Sequence, residues 1–439
     1  MVEILVRSVS KQAVKPSSPT PDYLRRYDLS FLDQVSPPVY NPLVLFYAKP
    51  EDDRFRENGV CDRLKSSLSD TLSHFYVLAG RSKGNEWVEC NNEGVPWIEA
   101  TIDLRLCQVM DDPIPKELNK LLPFALDAVD DILLGVQLNR FTCGGVALGL
   151  CMSHKVADGL SVFTFVRFWM SVSRGEPTLA FPDFVSAERF PPRSLQGYEP
   201  GVGITTSNIV SKLFVFRADK IEKLKAKYSS NSLATRPPSR VEALSTFLWS
   251  RYTSATGVCS NPQGKTCFIL QAVNLRTKFD PPLPEHSFGN YYRFTITFLT
   301  PEPAVTDWDG SNLVLKVRET LNKIDQNYIE ELRKGDNHLD FIKRSADAFH
   351  KGELISLNFT SLCKFPVYDS DFGWGRPTWV ASAALTYKNL VVFIDTKSGD
   401  GIEAYINLKE DDMAKLEADE EFQLFTSPTP VERTGTTSV

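Results

Sequence analysis

Apolar positions recur along the chain in two rhythms. From Cys61 to Tyr76, CDRLKSSLSDTLSHFY puts Leu64, Leu68, Leu72 and Phe75 at helical spacing, and LAGR ends the helix near Gly80. EWVEC (86–90) alternates like a strand. LLGVQLNRFTCGGVALGLCMSH (133–154) reads as two strands joined at Gly144–Gly145, a hairpin signal. The second strand, Val146 to Met152, is almost wholly apolar, which predicts burial on both faces. Leu160 to Gly175 then has the length and apolar density of a buried helix that stops at Gly175.

The rhythm breaks between Phe181 and Asn208, where prolines and glycines occur without periodicity. That predicts an N-terminal domain over 1–180, a crossover linker over 181–208 and a C-terminal domain over 209–439. Beyond the linker, KLFVFRAD reads as a strand and KIEKLKAKY as a helix. Ser239 to Ala255 is a second helix, with Ser239 as N-cap and Glu242 three residues on. CFILQAV and YRFTITFL are strands, the latter with Phe294, Ile296 and Phe298 on one face. NLVLKVRETLNKIDQNYIEELRKG predicts one long amphipathic helix stopped by Gly335. WVASAAL, NLVVFIDT and GIEAYINL predict strands, followed by an acidic helix from Lys409. Strands and helices interleave in both halves, so the fold class is α/β.

Composition narrows the function. A chain of 439 residues can bury a large core, and its length suggests two domains. A net charge of -6 with no basic block argues against nucleic acid as a partner. The N-terminal stretch lacks the apolar core and small-residue cleavage site of a secretory leader, and GTTSV carries no retention or prenylation signal. No run approaches the roughly 18 apolar residues of a membrane span. A cytoplasmic monomer without membrane attachment is expected. The eight cysteines are scattered without a C-x-x-C pair, so reduced core thiols are expected.

Several chemistries lack their motifs: H-E-x-x-H, Walker A, G-x-G-x-x-G at a strand-to-helix turn and G-x-S-x-G are all absent. No metal is expected. Two stretches remain. SHKVADG (153–159) places His154, one of five histidines, just past a buried strand, where open α/β sheets put ligand sites. Asp158 is near enough to orient the ring or the turn, and Gly159 lets backbone pass close. A neutral imidazole there can take a proton from a hydroxyl. Alone, H-x-x-x-D is a weak pattern, and a histidine satisfied within a turn is its bland reading. The second stretch, YDSDFGWGRPTW (368–379), brackets Trp374 with glycines, and Asp371 in it suits holding backbone better than meeting substrate.

The two motifs together, in this order, resemble the plant BAHD acyltransferases. KPSSPTP, LSFLDQ, FYVLAGR, QAVNLR, PPLPEHSFGN and DTKSGDGIEA look like further landmarks of that family in sequence. The likeness runs over the whole chain, closest to members that acylate alkaloids, terpenoids, naphthoquinones and acylated sugars. It implies two chloramphenicol-acetyltransferase-like domains with mixed sheets, joined by the crossover. A channel between them would take acyl-CoA, acetyl-CoA or another short form, from one side and an alcohol acceptor from the other. No permanently bound cofactor is implied. His154 would be the general base, Asp158 would pair with Arg276, and Asp371, often assigned a catalytic role, would shape the channel. Thr360 would line the channel. Leu362 stands where relatives commonly have tryptophan, which suggests a larger or less aromatic acceptor pocket. An amine N-acyltransferase and a non-catalytic metabolite-binding relative are the alternatives.

Overall fold

The computed structural model describes residues 3–427 apart from 53–58, 178–179, 197, 199, 202–203, 206, 230–235, 260–264 and 300–309. Two six-stranded mixed sheets organise these residues. The first contains β1 (Val6–Val14), β3 (Tyr40–Tyr47), β6 (Val95–Ile102), β7 (Leu134–Phe141), β8 (Val146–Ser153) and β13 (Trp379–Ala381), in the order β1-β6-β7-β8-β3-β13. The second contains β9 (Ile209–Phe216), β10 (Thr266–Asn274), β11 (Tyr292–Leu299), β12 (Leu354–Ser361), β14 (Leu390–Asp395) and β15 (Ile402–Lys409), in the order β11-β10-β12-β14-β15-β9. A small sheet of β2 (Arg26–Asp28), β4 (Arg81–Lys83) and β5 (Trp87–Glu89) flanks the first.

The β7–β8 hairpin and the burial of every residue of β8 follow the apolar run that predicts them. The helix Gly159–Arg174 ends at Gly175, whose φ of 69° suits a residue without Cβ. Its Trp169 is fully buried and donates to Ser67 Oγ at 2.9 Å, tying it to the helix Gly59–His74. In the second half, Leu357, Phe359, Val391 and Phe393 pack against Leu244, Phe247 and Leu248 of the helix Arg240–Thr256. Ser239 caps that helix with a capping box completed by Glu242, as its sequence predicts. A third apolar cluster joins the halves: Phe31, Leu32 and Val35 from the first, Phe190 from the crossover, Leu275 and Tyr291 from the second.

Two expectations need correction, and two features lie outside what the sequence predicts. The long helix before Gly335 is two helices, Gly310–Asn322 and Gln326–Lys334. The break falls at Asp325, whose side chain accepts from Tyr328 N–H and starts a new helix rather than continuing the old one. Strand β11 alternates as expected, but its polar side is the buried one. Arg293, Thr295 and Thr297 are buried, Thr297 opposite Ile269 of β10, while Phe294 and Phe298 are 43% and 55% exposed. Strand β13 pairs antiparallel with β3 in the first sheet although it lies beyond residue 209; a three-residue strand carries no mark of its partner. Finally, Cys259 and Cys267 are joined in a disulfide. Cys259 follows the helix ending at Thr256 and Cys267 is the second residue of β10; the other six cysteines are free thiols.

Candidate active site

His154 follows directly on β8, and its N–H donates to the Val39 carbonyl at 2.8 Å, which fixes the chain as it leaves the strand. Its ring lies deep between the two halves yet keeps partial solvent access. Tyr292, the first residue of β11, lies against it with ring centroids 5.1 Å apart. Nδ1 is 3.0 Å from Oδ1 of Asn290. The amide of Asn290 is pinned at its other end, with Nδ2 donating to the His154 carbonyl at 2.7 Å and to Asp33 Oδ1 at 2.8 Å. Both amide protons are therefore spent, and the oxygen faces the ring. An oxygen can only accept, so Nδ1 carries the proton and Nε2 keeps its lone pair. Burial pulls the His154 pKa below its ordinary value; Asp158 and Asn290 oppose that shift and Lys155 adds to it. The imidazole is thus held neutral with one nitrogen available as a base.

Asp158 does other work. It caps the helix Gly159–Arg174, with Oδ1 accepting from Ser161 N–H at 2.9 Å. First-turn N–H groups lack helical partners, and a carboxylate satisfies them well. Oδ2 accepts from Arg276 Nη1 at 2.7 Å and from Tyr291 N–H at 3.0 Å; Nη2 of Arg276 reaches Oδ1 at 3.2 Å. Arg276 is 1% exposed and also donates to Ser161 Oγ and the Ser287 carbonyl. Its guanidinium lies 4.8 Å from the Tyr291 ring centroid. Among the described residues, no hydrogen bond joins Asp158 to His154. Beside the pair, a cleft of about 150 Å³ opens to solvent, lined by Leu160, Phe163, Asn274, Lys364 and Phe365 among others.

Gly159 brings the helix start close to Leu362. A Cβ on Gly159 would lie 3.1 Å from Leu362 Cδ2 and 3.8 Å from Phe365 Cε2. Leu362 is half-buried, its N–H donates to the Phe393 carbonyl, and its side chain packs against the core of the first half. Its observed contact is packing between the halves. Thr360 stands two residues earlier, half-buried, on β12, which ends at Ser361.

Asp371 and Trp374 are elsewhere. Asp371 Oδ1 accepts from the N–H groups of Gly373 at 2.7 Å and Gly375 at 3.0 Å. The loop is tied down by Ser173 Oγ to the Phe372 carbonyl, Arg174 to the Asp371 carbonyl and Tyr47 Oη to the Ser370 carbonyl. Trp374 stacks on Phe372 at 5.6 Å and meets Tyr47 edge-on. Ser173 and Arg174 end the same helix that Asp158 begins. At 1.5 Å rise per residue, that helix spans about 24 Å. Asp371 thus holds its own loop at the opposite end of that helix from Asp158.

The motif pattern left three residues of the site without a role. Asn290 and Asp33 lie within the landmarks PPLPEHSFGN and LSFLDQ. The third, Lys155, follows His154, is 7% exposed, and donates from Nζ to the carbonyls of Asp33, Gln34 and Ser36 at 3.3, 2.9 and 2.8 Å. Burial pulls its ammonium down to about 7, opposed by the Asp33 carboxylate. Among the described residues, no group of three or more His, Cys, Asp or Glu is placed to hold a metal ion.

The profile of the Transferase family matches residues 4–423. Stemmadenine O-acetyltransferase of Catharanthus roseus is 36% identical over 419 residues, covering 94% of this chain and 96% of that protein. Vinorine synthase of Rauvolfia serpentina is 36% identical over 419 residues, covering 94% of this chain and 96% of that protein. The crystal structure of vinorine synthase superposes with a TM-score of 0.84 at 33% identity, covering 97% of this chain and 99% of that one. TRI101 of F. sporotrichioides, complexed with coenzyme A and T-2, shares the fold at a TM-score of 0.70 and 18% identity, covering 92% of this chain and 99% of its own.

Proposed function

The chain belongs to the Transferase family, the BAHD acyltransferases, and from that premise we propose that His154 is the general base for moving a short acyl group from CoA to a hydroxyl of a plant specialised metabolite. The protein is an acyltransferase that uses acyl-CoA and a small-molecule acceptor. The observation that carries the assignment to His154 is its hydrogen bond to Asn290, which leaves Nε2 unprotonated between the two halves.

A thioester is already activated, so no covalent enzyme intermediate is required. Nε2 of His154 takes the acceptor's proton as its oxygen attacks the thioester carbonyl carbon. The tetrahedral intermediate carries an oxyanion, and one donor to such an oxygen typically contributes about 10²–10³ in rate. Thr360 on β12 is proposed to line the channel and offer its hydroxyl there. Collapse breaks the C–S bond, and the imidazolium returns its proton to the CoA thiolate. Asp158 and Arg276 hold the two halves in register around this base, Gly159 lets the halves approach, and the loop of Asp371 and Trp374 shapes the channel from outside.

Acetyl-CoA is the proposed donor, because stemmadenine O-acetyltransferase names an acetyl group. The proposed acceptor is an alkaloid or terpenoid alcohol, in keeping with relatives named for stemmadenine and for limonoids. Among the described residues, no helix is long and apolar enough to cross a membrane. We place the protein in the cytoplasm as a monomer. The division at 1–180, 181–208 and 209–439 stands as the proposed domain plan, with β13 lent to the first domain.

Thiol release from acetyl-CoA in the presence of alkaloid and terpenoid alcohols tests the reading, with the ester identified by mass spectrometry. His154→Ala should lose about 10²–10⁴ in kcat. Retention of more than a tenth of the rate by that variant would remove His154 as base.

A further inference from the structure

We infer that Asp33 is a positioning residue for His154, holding its imidazole in the Nδ1–H form through the side-chain amide of Asn290. The inference rests on the reading of His154 as base. Among the described residues Asp33 makes no hydrogen bond to the imidazole; its link to the ring runs through Asn290.

The geometry has a direction. Asp33 Oδ1 accepts twice from Asn290, from the backbone N–H at 3.1 Å and from Nδ2 at 2.8 Å. Were the amide turned over, its oxygen would face the Asp33 carboxylate and the His154 carbonyl, three acceptors with no proton between them. Its NH₂ would then face Nδ1 and force the proton onto Nε2, leaving the base without its lone pair. The carboxylate is thus the group that makes one orientation far better than the other. The residues are 257 positions apart, so the link crosses from the first half of the chain to the second and returns to His154.

Asp33 is itself held for this task. Its Oδ2 accepts from Ser30 N–H at 2.9 Å, Ser30 Oγ at 2.6 Å and Ser186 Oγ at 3.3 Å. With the two bonds from Asn290, five donors converge on it, and it is 0% exposed. Lys155 clamps the carbonyl end of the helix Phe31–Gln34 on which Asp33 sits. Burial pushes the Asp33 carboxyl up from its ordinary value, and the bonds from Ser30 and Asn290 oppose that shift and favour the ionised, accepting form. Ser30 alone would complete the capping box; the bonds to Asn290 go beyond what that short helix needs.

The test is the ring nitrogen protonation of His154, read by ¹⁵N NMR on uniformly labelled protein, with its signals assigned by their loss in His154→Ala. Wild type should show a proton on Nδ1 and none on Nε2. Asp33→Asn should show His154 almost wholly in the Nε2–H form, with kcat lowered about 10²–10⁴-fold and the acyl-CoA KM within about threefold. If Asp33→Asn does not fold, Asn290→Ala is read instead, and loss of the single Nδ1–H form is the supporting result. A His154 that stays wholly Nδ1–H in the variant that folds overturns the proposal. Turnover judges the other reading separately. Should the tautomer shift while His154→Ala still releases thiol at the wild-type rate, the positioning stands and the base assignment falls.

Discussion

Asp158 and Arg276 face each other across the seam between the two halves, with Oδ2 2.7 Å from Nη1 and both side chains almost fully buried. The pair is embedded in bonds to Ser161, Ser287 and Tyr291, so neither charge is left to the low-dielectric interior alone. It explains how an acid four residues from the base serves the site without touching it. Removing one partner leaves the other buried and uncompensated, a loss of about 3–5 kcal/mol. Asp158→Asn and Arg276→Met should each lower the urea midpoint and turnover together. The double variant should cost less than the sum of the singles. Strict additivity in the unfolding free energies would show that the contact carries no coupling.

The pH profile follows from the environment of His154. Burial disfavours the imidazolium, so the folded pKa lies below the usual value of about 6.5. The neutral form is the base, and activity is lost only as pH falls through that lowered pKa. The acid limb of kcat/KM should therefore have its midpoint below pH ~6.5. Asn290 and Tyr292 meet the ring, the charges of Asp158 and Lys155 act on it from nearby, and of these the Lys155 cation pushes the same way as burial. Lys155→Met should move the limb upward. A wild-type midpoint above about 7, well over the ordinary histidine value, or a limb that Lys155→Met shifts downward, would contradict this account.

Asp371 separates a loop anchor from a catalyst. Its carboxylate oxygen accepts from Gly373 and Gly375, and an asparagine oxygen can accept both bonds equally well. Asp371→Asn should therefore keep most of kcat and most of the melting temperature. Asp371→Ala leaves those N–H groups without their acceptor and should lower the melting temperature and raise the acyl-CoA KM. A hundredfold fall in kcat for Asp371→Asn with an unchanged melting curve would restore a chemical role.

Local chemistry was legible in the chain. Ser239 with Glu242 and Gly175 marked helix ends because caps act on neighbouring backbone. The apolar run of β8 marked a strand buried on both faces, with His154 set at its end. The family likeness carried the Asp158–Arg276 pairing. The remainder depended on contacts between distant segments. Which lone pair His154 keeps depends on Asn290 and Asp33, and no spacing pattern joins residues so far apart. Asp325 looked like one more polar position on a helix face, although its side chain ends the helix register. The alternation of β11 marked two faces but not which is buried: Arg293, Thr295 and Thr297 are buried, and Phe294 and Phe298 are exposed. Asp371 sits in a motif close in sequence to the second half's strands, but helix length places it at the far end from Asp158.

The tight approach at the helix start sets the last expectation. Leu362 Cδ2 sits where a Cβ on Gly159 would meet it at 3.1 Å, tighter than ordinary contact. Gly159→Ala would gain helix propensity of about 0.5–1 kcal/mol, yet must push Leu362 or the helix start by a few tenths of an ångström. That displacement bears on Asp158 next in the chain and on its bonds to Arg276. The expected result is an unfolding free energy lowered by up to about 2.5 kcal/mol, because overpacking of this kind typically costs about 1–3 kcal/mol and outweighs the gain. Leu362→Ala removes the obstructing atoms at the cost of a cavity. In that background Gly159→Ala should be stabilising, giving a coupling on the order of 1 kcal/mol between the two sites. Leu362→Trp, which installs the residue common in relatives, should be better tolerated with the native Gly159 than in combination with Gly159→Ala. Chemical denaturation of the wild-type chain, Leu362→Ala and Leu362→Trp, each with and without Gly159→Ala, measures this directly. Equal effects of Gly159→Ala whatever stands at 362 would mean that the two residues do not share space, and that Leu362 is free to face the acceptor instead.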